Sequence, residues 1–314
     1  MKITNNIVIE KAKSLGFDLV GFAKAEKLEE EILKLESWLQ RGYNAGMTYM
    51  EHNLNKRKDV NEILSGAKSI ITLAVNYYTD EKCSGDPKNG KISRYAWGTD
   101  YHLIIWDKLS KLETQLHEID PDFYSKSYVD TGPVMDKVWA VKSGLGWMGK
   151  HSNIINRELG SWLFLSSIIT NYEFGYSNPV PDFCGSCTAC IDVCPTNSIV
   201  SEYVVDANKC ISYLTIENKE EIPAVFSEKF ENWIFGCDIC QDVCPWNIKF
   251  SELTDIKEFY PGTGNTEISL KEVFTMDEET FKKKYKLSPI KRTKLQGLKR
   301  NAKFLQANLL MEEK

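Results

Sequence analysis

Nine cysteines dominate the chemistry available to this sequence of 314 residues. Cys184, Cys187, Cys190 and Cys194 follow C-x2-C-x2-C-x3-C and precede Pro195, the spacing of bacterial two-cluster ferredoxins, in which the fourth thiolate serves the other cluster. Three cysteines at such intervals lie on one tight loop and converge on one cubane face, so a second half-motif is required. Cys237-x2-Cys240-x3-Cys244-Pro245 provides it, and Cys210 can supply the ligand it lacks. By ferredoxin logic one [4Fe–4S] cluster takes Cys184, Cys187, Cys190 and Cys244, and the other takes Cys194, Cys210, Cys237 and Cys240. Zinc ribbons also pair C-x2-C units, but they need neither the three-cysteine run nor crossed Cys-Pro ends. Cys83 is left over in a polar loop and is read as incidental.

The elements that must carry these ligands occupy the second half of the chain. Before them, Asn5 to Leu15 has helical spacing, Asp18 to Ala23 reads as a strand, and Leu28 to Gln40 is a charged amphipathic stretch. Lys68 to Tyr78, rich in β-branched and aromatic residues, is expected to be a central strand. Tyr101 to Glu118 reads as a helix and Tyr124 to Val129 as a strand. That strand enters Asp130-Thr131-Gly132-Pro133, where the proline suits the first position of a helix from Val134 to Ser143. Ser161 to Thr170 is a buried strand or helix, too short to span a membrane. Changes of composition divide the chain into residues 1–170, a cysteine-rich segment 171–255 and a tail 256–314 without cysteine.

A net charge of −5 excludes a chain-wide nucleic-acid coat. Glu10, Lys11, Lys13 and Asp18 interrupt the N-terminal apolar stretch, so no export signal is expected and the protein is expected to be cytoplasmic and monomeric. In that reducing compartment an odd, clustered set of cysteines argues for metal rather than disulfides. The large segment ahead of the clusters is expected to hold a second redox centre or a substrate site. It contains one decoy: Gly144 to Gly149 matches G-x-G-x-x-G, but it closes a helix where a dinucleotide fingerprint must open one.

The phrases RYAWGTDYH (94–102), YVDTGPVMDKVWAVKSGLGWMGKHSNIINRELGSW (128–162), CGSCTACIDVCPT (184–196), CISYLTIE (210–217) and GCDICQDVCPWN (236–247) together resemble epoxyqueuosine reductase, the cobalamin-dependent family of tRNA queuosine synthesis. VDTGP followed by GLGWMGKHS ahead of the clusters is the most specific part, and the resemblance covers nearly the whole chain. It implies an α+β protein: a mixed α/β cobalamin-binding catalytic domain, a ferredoxin-like domain with two clusters, and a short, basic, mostly helical tail. It also implies reduction of epoxyqueuosine to queuosine at the wobble position of tRNA. Electrons would pass from an external one-electron donor, ferredoxin or flavodoxin, through the clusters to cobalamin. Some members continue into helical repeats after a phrase like LKRNA; this chain is expected to be a short form without them.

The family's proton donor is the aspartate of VDTGP, here Asp130. From the residues alone, a turn-forming aspartate that accepts backbone N–H groups is the competing reading. The resemblance points to a carboxyl facing an apolar macrocycle, whose raised pKa would keep it an acid. For the amide and phosphate arms of cobalamin the matching phrases offer Arg57, Arg94, Lys150, His151, Asn153 and Ser161, and Asp238 lies between two cluster ligands where cluster and corrin would meet. Asp100-Tyr101-His102 begins the D-x-H-x-x-G signature that donates a histidine to cobalt, but Ile105 replaces its glycine, so His102 is read as structural.

Ten basic residues and no acid lie between Phe281 and Lys303. Like charges at this density suit a polyanion such as tRNA better than a bare solvated face. Two other readings are a reductive dehalogenase-like corrinoid enzyme, disfavoured by the absent export signal and by the basic tail, and a non-catalytic iron–sulphur electron carrier.

Overall fold

The structure is a computed structural model, and it describes residues 2–262 and 265–312; positions 263, 264, 313 and 314 of the expected tail lie outside the described residues. The first part of the chain runs α1 (Asn5–Ser14), β1 (Leu19–Lys24), α2 (Glu29–Gln40), α3 (Leu54–Lys58), β2 (Ser69–Asn76), β3 (Asn89–Ile92), α4 (Tyr101–Ile119), β4 (Ser125–Tyr128), α5 (Asp136–Lys142), β5 (Trp147–Met148), β6 (Ile154–Ile155) and β7 (Leu163–Thr170). β1, β2, β7 and β4 form an antiparallel sheet in that order. Every residue of β2 is buried, as its continuous apolar run and central position require. α4 packs through Tyr101, Ile105, Leu109, Leu112 and Leu116, a stripe of helical period. Full burial of each such leucine or isoleucine contributes about 1.5–3 kcal/mol, and packing this stripe fixes the N-terminal end of α4 beside the sheet.

The helix after β4 departs from expectation. It starts at Asp136, so Pro133 is not its first residue. Asp130 takes φ +58°, and Gly132 lies on the Tyr128 ring, where a Cβ would fall 2.0 Å from a ring carbon. Val134 is drawn into a core with Trp139, and the chain becomes helical only beyond these contacts. The G-x-G-x-x-G run does close α5, with Gly144 at φ +72°.

The cysteine-rich segment contains α6 (Ala189–Asp192), β8 (Ile199–Ser201), β9 (Val204–Val205), α7 (Ile211–Ile216), β10 (Trp233–Phe235), α8 (Ile239–Asp242) and α9 (Pro245–Phe250), followed by β11 (Glu267–Ser269), α10 (Leu270–Thr275), α11 (Glu278–Lys284) and α12 (Lys294–Glu312). β3 pairs parallel with β10 and antiparallel with β11. A single core therefore joins Ile92 and Trp97, Ile234 and Phe235, and Tyr285, Leu298 and Leu305. The three segments separated by composition are interleaved in space. Among the described residues no helix is long and apolar enough to cross a membrane.

Candidate active site

Asp130 sits where β4 runs out. Its left-handed backbone costs of order 1 kcal/mol for a residue with a side chain, and aspartate tolerates it better than most. The turn aims the carboxylate at the start of α4: Tyr101 Oη donates to Asp130 Oδ2, and His102 Nε2 lies 3.9 Å from the same oxygen. Tyr101 is stacked on Phe164 at 4.2 Å. Burial, then the Asp130 charge, holds its phenol far above the usual range, so it is a fixed donor. The Asp130 side chain is 58% exposed and faces a cleft of about 1680 Å³, larger than the ~300–1,000 Å³ of ordinary small-molecule pockets. Met148, Leu163 and Phe164 give this cleft an apolar wall, and Arg57, Lys137 and Arg292 contribute cationic groups.

Two further charged groups of α5 define the cleft floor. Asp136 touches the open space but is otherwise enclosed by protein; that burial, opposed by the hydrogen bond from Ser167 Oγ at 2.8 Å, pushes its carboxyl up to about 7. Lys137 donates to Ser152 O at 2.8 Å and Asn153 Oδ1 at 2.9 Å. The residue is exposed overall; desolvation of its ammonium lowers its pKa, while the charges of Asp130, Cys240 and Cys210 oppose the shift. Lys137 thus lines the cleft and lies within electrostatic reach of Asp130, Cys240 and Cys210.

Several of the cysteine thiols feel one another's charge. Burial, then the neighbouring Cys244, Cys184 and Cys187, raises Cys190 to about 11. Burial, then Cys210, Cys190 and Cys194, raises Cys240, and Cys237 is raised by burial and by Cys240 and Cys210. Thiols that resist ionisation through burial and neighbouring charge are suited to a cation that neutralises them. N–H groups are aimed at several sulphurs: Ser198 N–H reaches Cys194 Sγ at 3.3 Å, and backbone donors meet Cys210 and Cys244. Such donors tune iron–sulphur thiolates, so the donor set fits two clusters. Cys187 is exposed, and the Cys83 thiol donates to Thr266 O at 3.3 Å; no other cysteine is among the groups whose charge shifts it.

Of the residues considered for cobalamin, only Arg57 lines the cleft, its guanidinium donating to His52 O and Tyr49 O. Arg94 is enclosed by the rings of Tyr78, Trp97 and Trp162, donates to Thr79 O at 2.5 Å and pairs with Asp242 at 3.7 Å. Asp238 is buried and accepts from Ser93 Oγ at 2.5 Å and Arg94 N–H at 2.7 Å; burial, then Asp242, raises it to about 6. Ser161 belongs to a buried knot with Gln241 and Asn247. These three tie the cleft side to α8 and α9. Lys150 bonds Gly185 O and Glu202 beside the first cysteine loop. Asn153 anchors Lys137. His151 Nδ1 accepts the Asn153 N–H, while its buried Nε2 has no partner.

Tyr101, Asp136 and Lys137 escaped sequence reasoning. Tyr101 meets Asp130 across 29 positions, and no local pattern announces such a contact. The adjacency of Asp136 and Lys137 to the VDTGP phrase was the available signal.

Comparison with known proteins agrees with this geometry. The 4Fe-4S double cluster binding domain matches residues 183–247, and epoxyqueuosine reductase QueG, DUF1730, matches residues 57–131. The epoxyqueuosine reductase of Leadbetterella byssophila is 48% identical over 298 residues, 94% of this chain and 96% of that one. Among solved structures, an epoxyqueuosine reductase with an epoxyqueuosine-modified tRNA-Tyr stem loop has a TM-score of 0.90 and 33% identity over 96% of this chain and 80% of that one. The Bacillus subtilis epoxyqueuosine reductase with its catalytic aspartate loop swung out of the active site also has a TM-score of 0.90, with 32% identity over 96% of this chain and 81% of that one. With such identity sustained over nearly its full length, the chain belongs to the epoxyqueuosine reductase family.

Proposed function

We propose that this chain reduces epoxyqueuosine to queuosine at the wobble position of tRNA, with cobalamin in the Asp130 cleft and two [4Fe–4S] clusters on the eight paired cysteines. The observation that carries the reading is the Asp130 carboxylate, held by Tyr101 and opening on the cleft beside Met148, Leu163 and Phe164. Lys137, which lines the cleft, feels the charges of Asp130, Cys240 and Cys210, so the cleft and the cysteines lie within electrostatic reach of one another. The cofactors fit the residues present: cobalamin has a broad apolar face for Met148, Leu163 and Phe164, and polar arms for donors such as Arg57 and Lys137. When bound, it supplies the low-potential reducing centre. Residues 1–170 carry most of the cleft and 171–255 the cluster ligands, and the basic tail offers a surface for tRNA. Electrons would come from an external ferredoxin- or flavodoxin-class donor, an entry at the cluster held by Cys187 being supported by that residue's exposure, and the chain would act as a monomer.

The protein's share of the chemistry is positional and protonic. Substrate and cofactor filling the cleft would exclude water around the epoxide. Tyr101 holds the Asp130 carboxyl in place through Oδ2, and Asp130 gives its proton to the departing epoxide oxygen. Asp130→Asn keeps the size and hydrogen-bonding capacity of the turn but removes the acid. The variant is expected to retain iron and cobalt and to lose about 10²–10⁴-fold in single-turnover reduction of an epoxyqueuosine stem loop by pre-reduced enzyme. A fully loaded variant reacting at the parent rate refutes the assignment.

A further inference from the structure

The reaction needs more protons than Asp130 holds. Reductive deoxygenation takes an epoxide, two electrons and two protons to an alkene and one water: both C–O bonds break, and the oxygen leaves carrying both protons. The electrons come from the one-electron donor through the clusters. A single carboxylic acid supplies one proton and must be recharged before the second C–O bond breaks.

The Asp100-Tyr101-His102 run at the start of α4 has the geometry to recharge it. His102 Nδ1 lies 2.8 Å from Asp100 Oδ1, and His102 Nε2 is buried, has no hydrogen-bond partner and points at Asp130 Oδ2 from 3.9 Å. Asp100 caps α4 by accepting the His102 N–H at 3.1 Å, so backbone and ring are fixed by one carboxylate. Its other oxygen pairs with Lys291 at 2.9 Å. Burial opposes the charged form of Asp100, but the bonds from His102 and Lys291 prevail and hold it down to about 2, so it remains a carboxylate facing the imidazole. A carboxylate on one ring nitrogen and an acceptor facing the other is the arrangement that orients histidine for proton transfer and stabilises its imidazolium form. A gap of 3.9 Å is closed by rotation of the half-open Asp130 side chain, and such contacts tighten when substrate fills a site.

We propose that the Asp100–His102 pair delivers the second proton by reprotonating Asp130 within each turnover, His102 acting through Asp130 as a positioning and relay residue rather than on the substrate. Neighbouring groups are less suited. Tyr101 donates to the same Asp130 oxygen but its phenol is too weak an acid. Asp136 is engaged by Ser167, and Lys137 by Ser152 and Asn153. The remaining charged group near this pair, Arg292 from the turn before α12, is committed to Glu217.

The inference rests on Asp130 being the acid, so Asp130→Asn is the control: if that variant keeps the parent rate, the underlying assignment fails, not the relay alone. In cluster- and cobalamin-loaded enzyme with the modified stem loop, His102→Gln is expected to slow reduction about 10²-fold. It should also change the alkaline limb of the pH–rate profile and make the rate depend on buffer concentration. Added imidazole should restore His102→Ala to within about tenfold of the parent, a rescue that a purely structural histidine does not give. Asp100→Asn keeps the imidazole and loses its orienting charge; it should show the same buffer dependence, and serves if His102→Gln does not load. Parent-like rate and pH profile in the loaded variants overturn the relay. So does a slow rate without imidazole rescue, buffer dependence or a changed pH profile. Transfer of the buffer dependence to Asp136→Asn, with His102→Gln unaffected, overturns it in favour of Asp136.

Discussion

Burying an imidazole with one nitrogen unpartnered fixes the sign of its response to pH. His151 is 5% exposed, and burial, then the charge of Lys137, pushes its pKa down to about 4. The unfolded chain takes up a proton near ~6.5 that the folded chain refuses. Stability from the neutral ring is therefore fully present above that value and is lost as pH falls toward the folded pKa, by about 2 kcal/mol at pH ~5. Asp136 works in the opposite sense: raised from 3.8 to about 7, its contribution is full at low pH and disappears as pH rises through 7. The two windows overlap, so the parent's own profile conceals both. A comparison of chemical unfolding for parent and His151→Gln separates them: the parent's advantage should shrink by about 2 kcal/mol between neutral pH and pH ~5. A pH-independent difference would show that His151 is not held neutral by burial.

At the scale of elements, what could be read in advance was whatever repeats locally. The burial stripe of α4 and the apolar run of β2 announce themselves within one element, and the cysteine intervals do so within one loop and one turn of helix. The displaced start of α5 could not be read, because it depends on Gly132 meeting the Tyr128 ring and on Val134 meeting Trp139. The placement of Arg94 likewise depends on rings from three separate elements converging on its guanidinium. Cys210 lies between these cases: no motif includes it, yet its place at the N-terminus of α7 brings backbone N–H groups of Ser212 and Tyr213 to its sulphur. Replacing Cys210 with alanine should therefore remove one cluster and leave the other, halving iron from about eight to about four atoms per chain. Cys83→Ser should change neither iron content nor the cluster spectrum. Loss of iron in the Cys83 variant, or full iron in the Cys210 variant, would break the pairing.

Over the whole molecule, the tail proves to be a structural layer as well as a charged one. β11 completes the sheet with β3 and β10, and Phe281, Tyr285, Leu295 and Leu298 enter the same core as Ile92 and Phe235. Pairing between residues about 140 to 180 positions apart leaves no local periodicity, which is why composition alone set the tail apart. Eight of its ten basic residues divide accordingly. Lys284 pairs with Glu272, Lys291 with Asp100 and Arg292 with Glu217, and Arg300 donates to the carbonyls of Leu214, Asn218 and Glu220. Lys282, Lys286 and Lys294, with Lys291 and Glu278, border a hollow of about 480 Å³ beside α11, and Lys283 is exposed. Deleting the tail cannot test tRNA binding, since it would strip the shared core and unfold the protein. Changing Lys282, Lys283, Lys286 and Lys294 to glutamine leaves every one of those internal pairings in place. Iron and cobalt content should then match the parent, while affinity for the modified stem loop falls and the slope of log K against log salt shrinks by about 0.7–0.9 for each phosphate that the protein no longer neutralises. Lys284→Gln alone should leave that slope unchanged, because its ammonium is already committed to Glu272. If the fourfold variant binds with parent affinity and parent salt slope, the exposed lysines are solvated surface and the phosphates are gripped elsewhere.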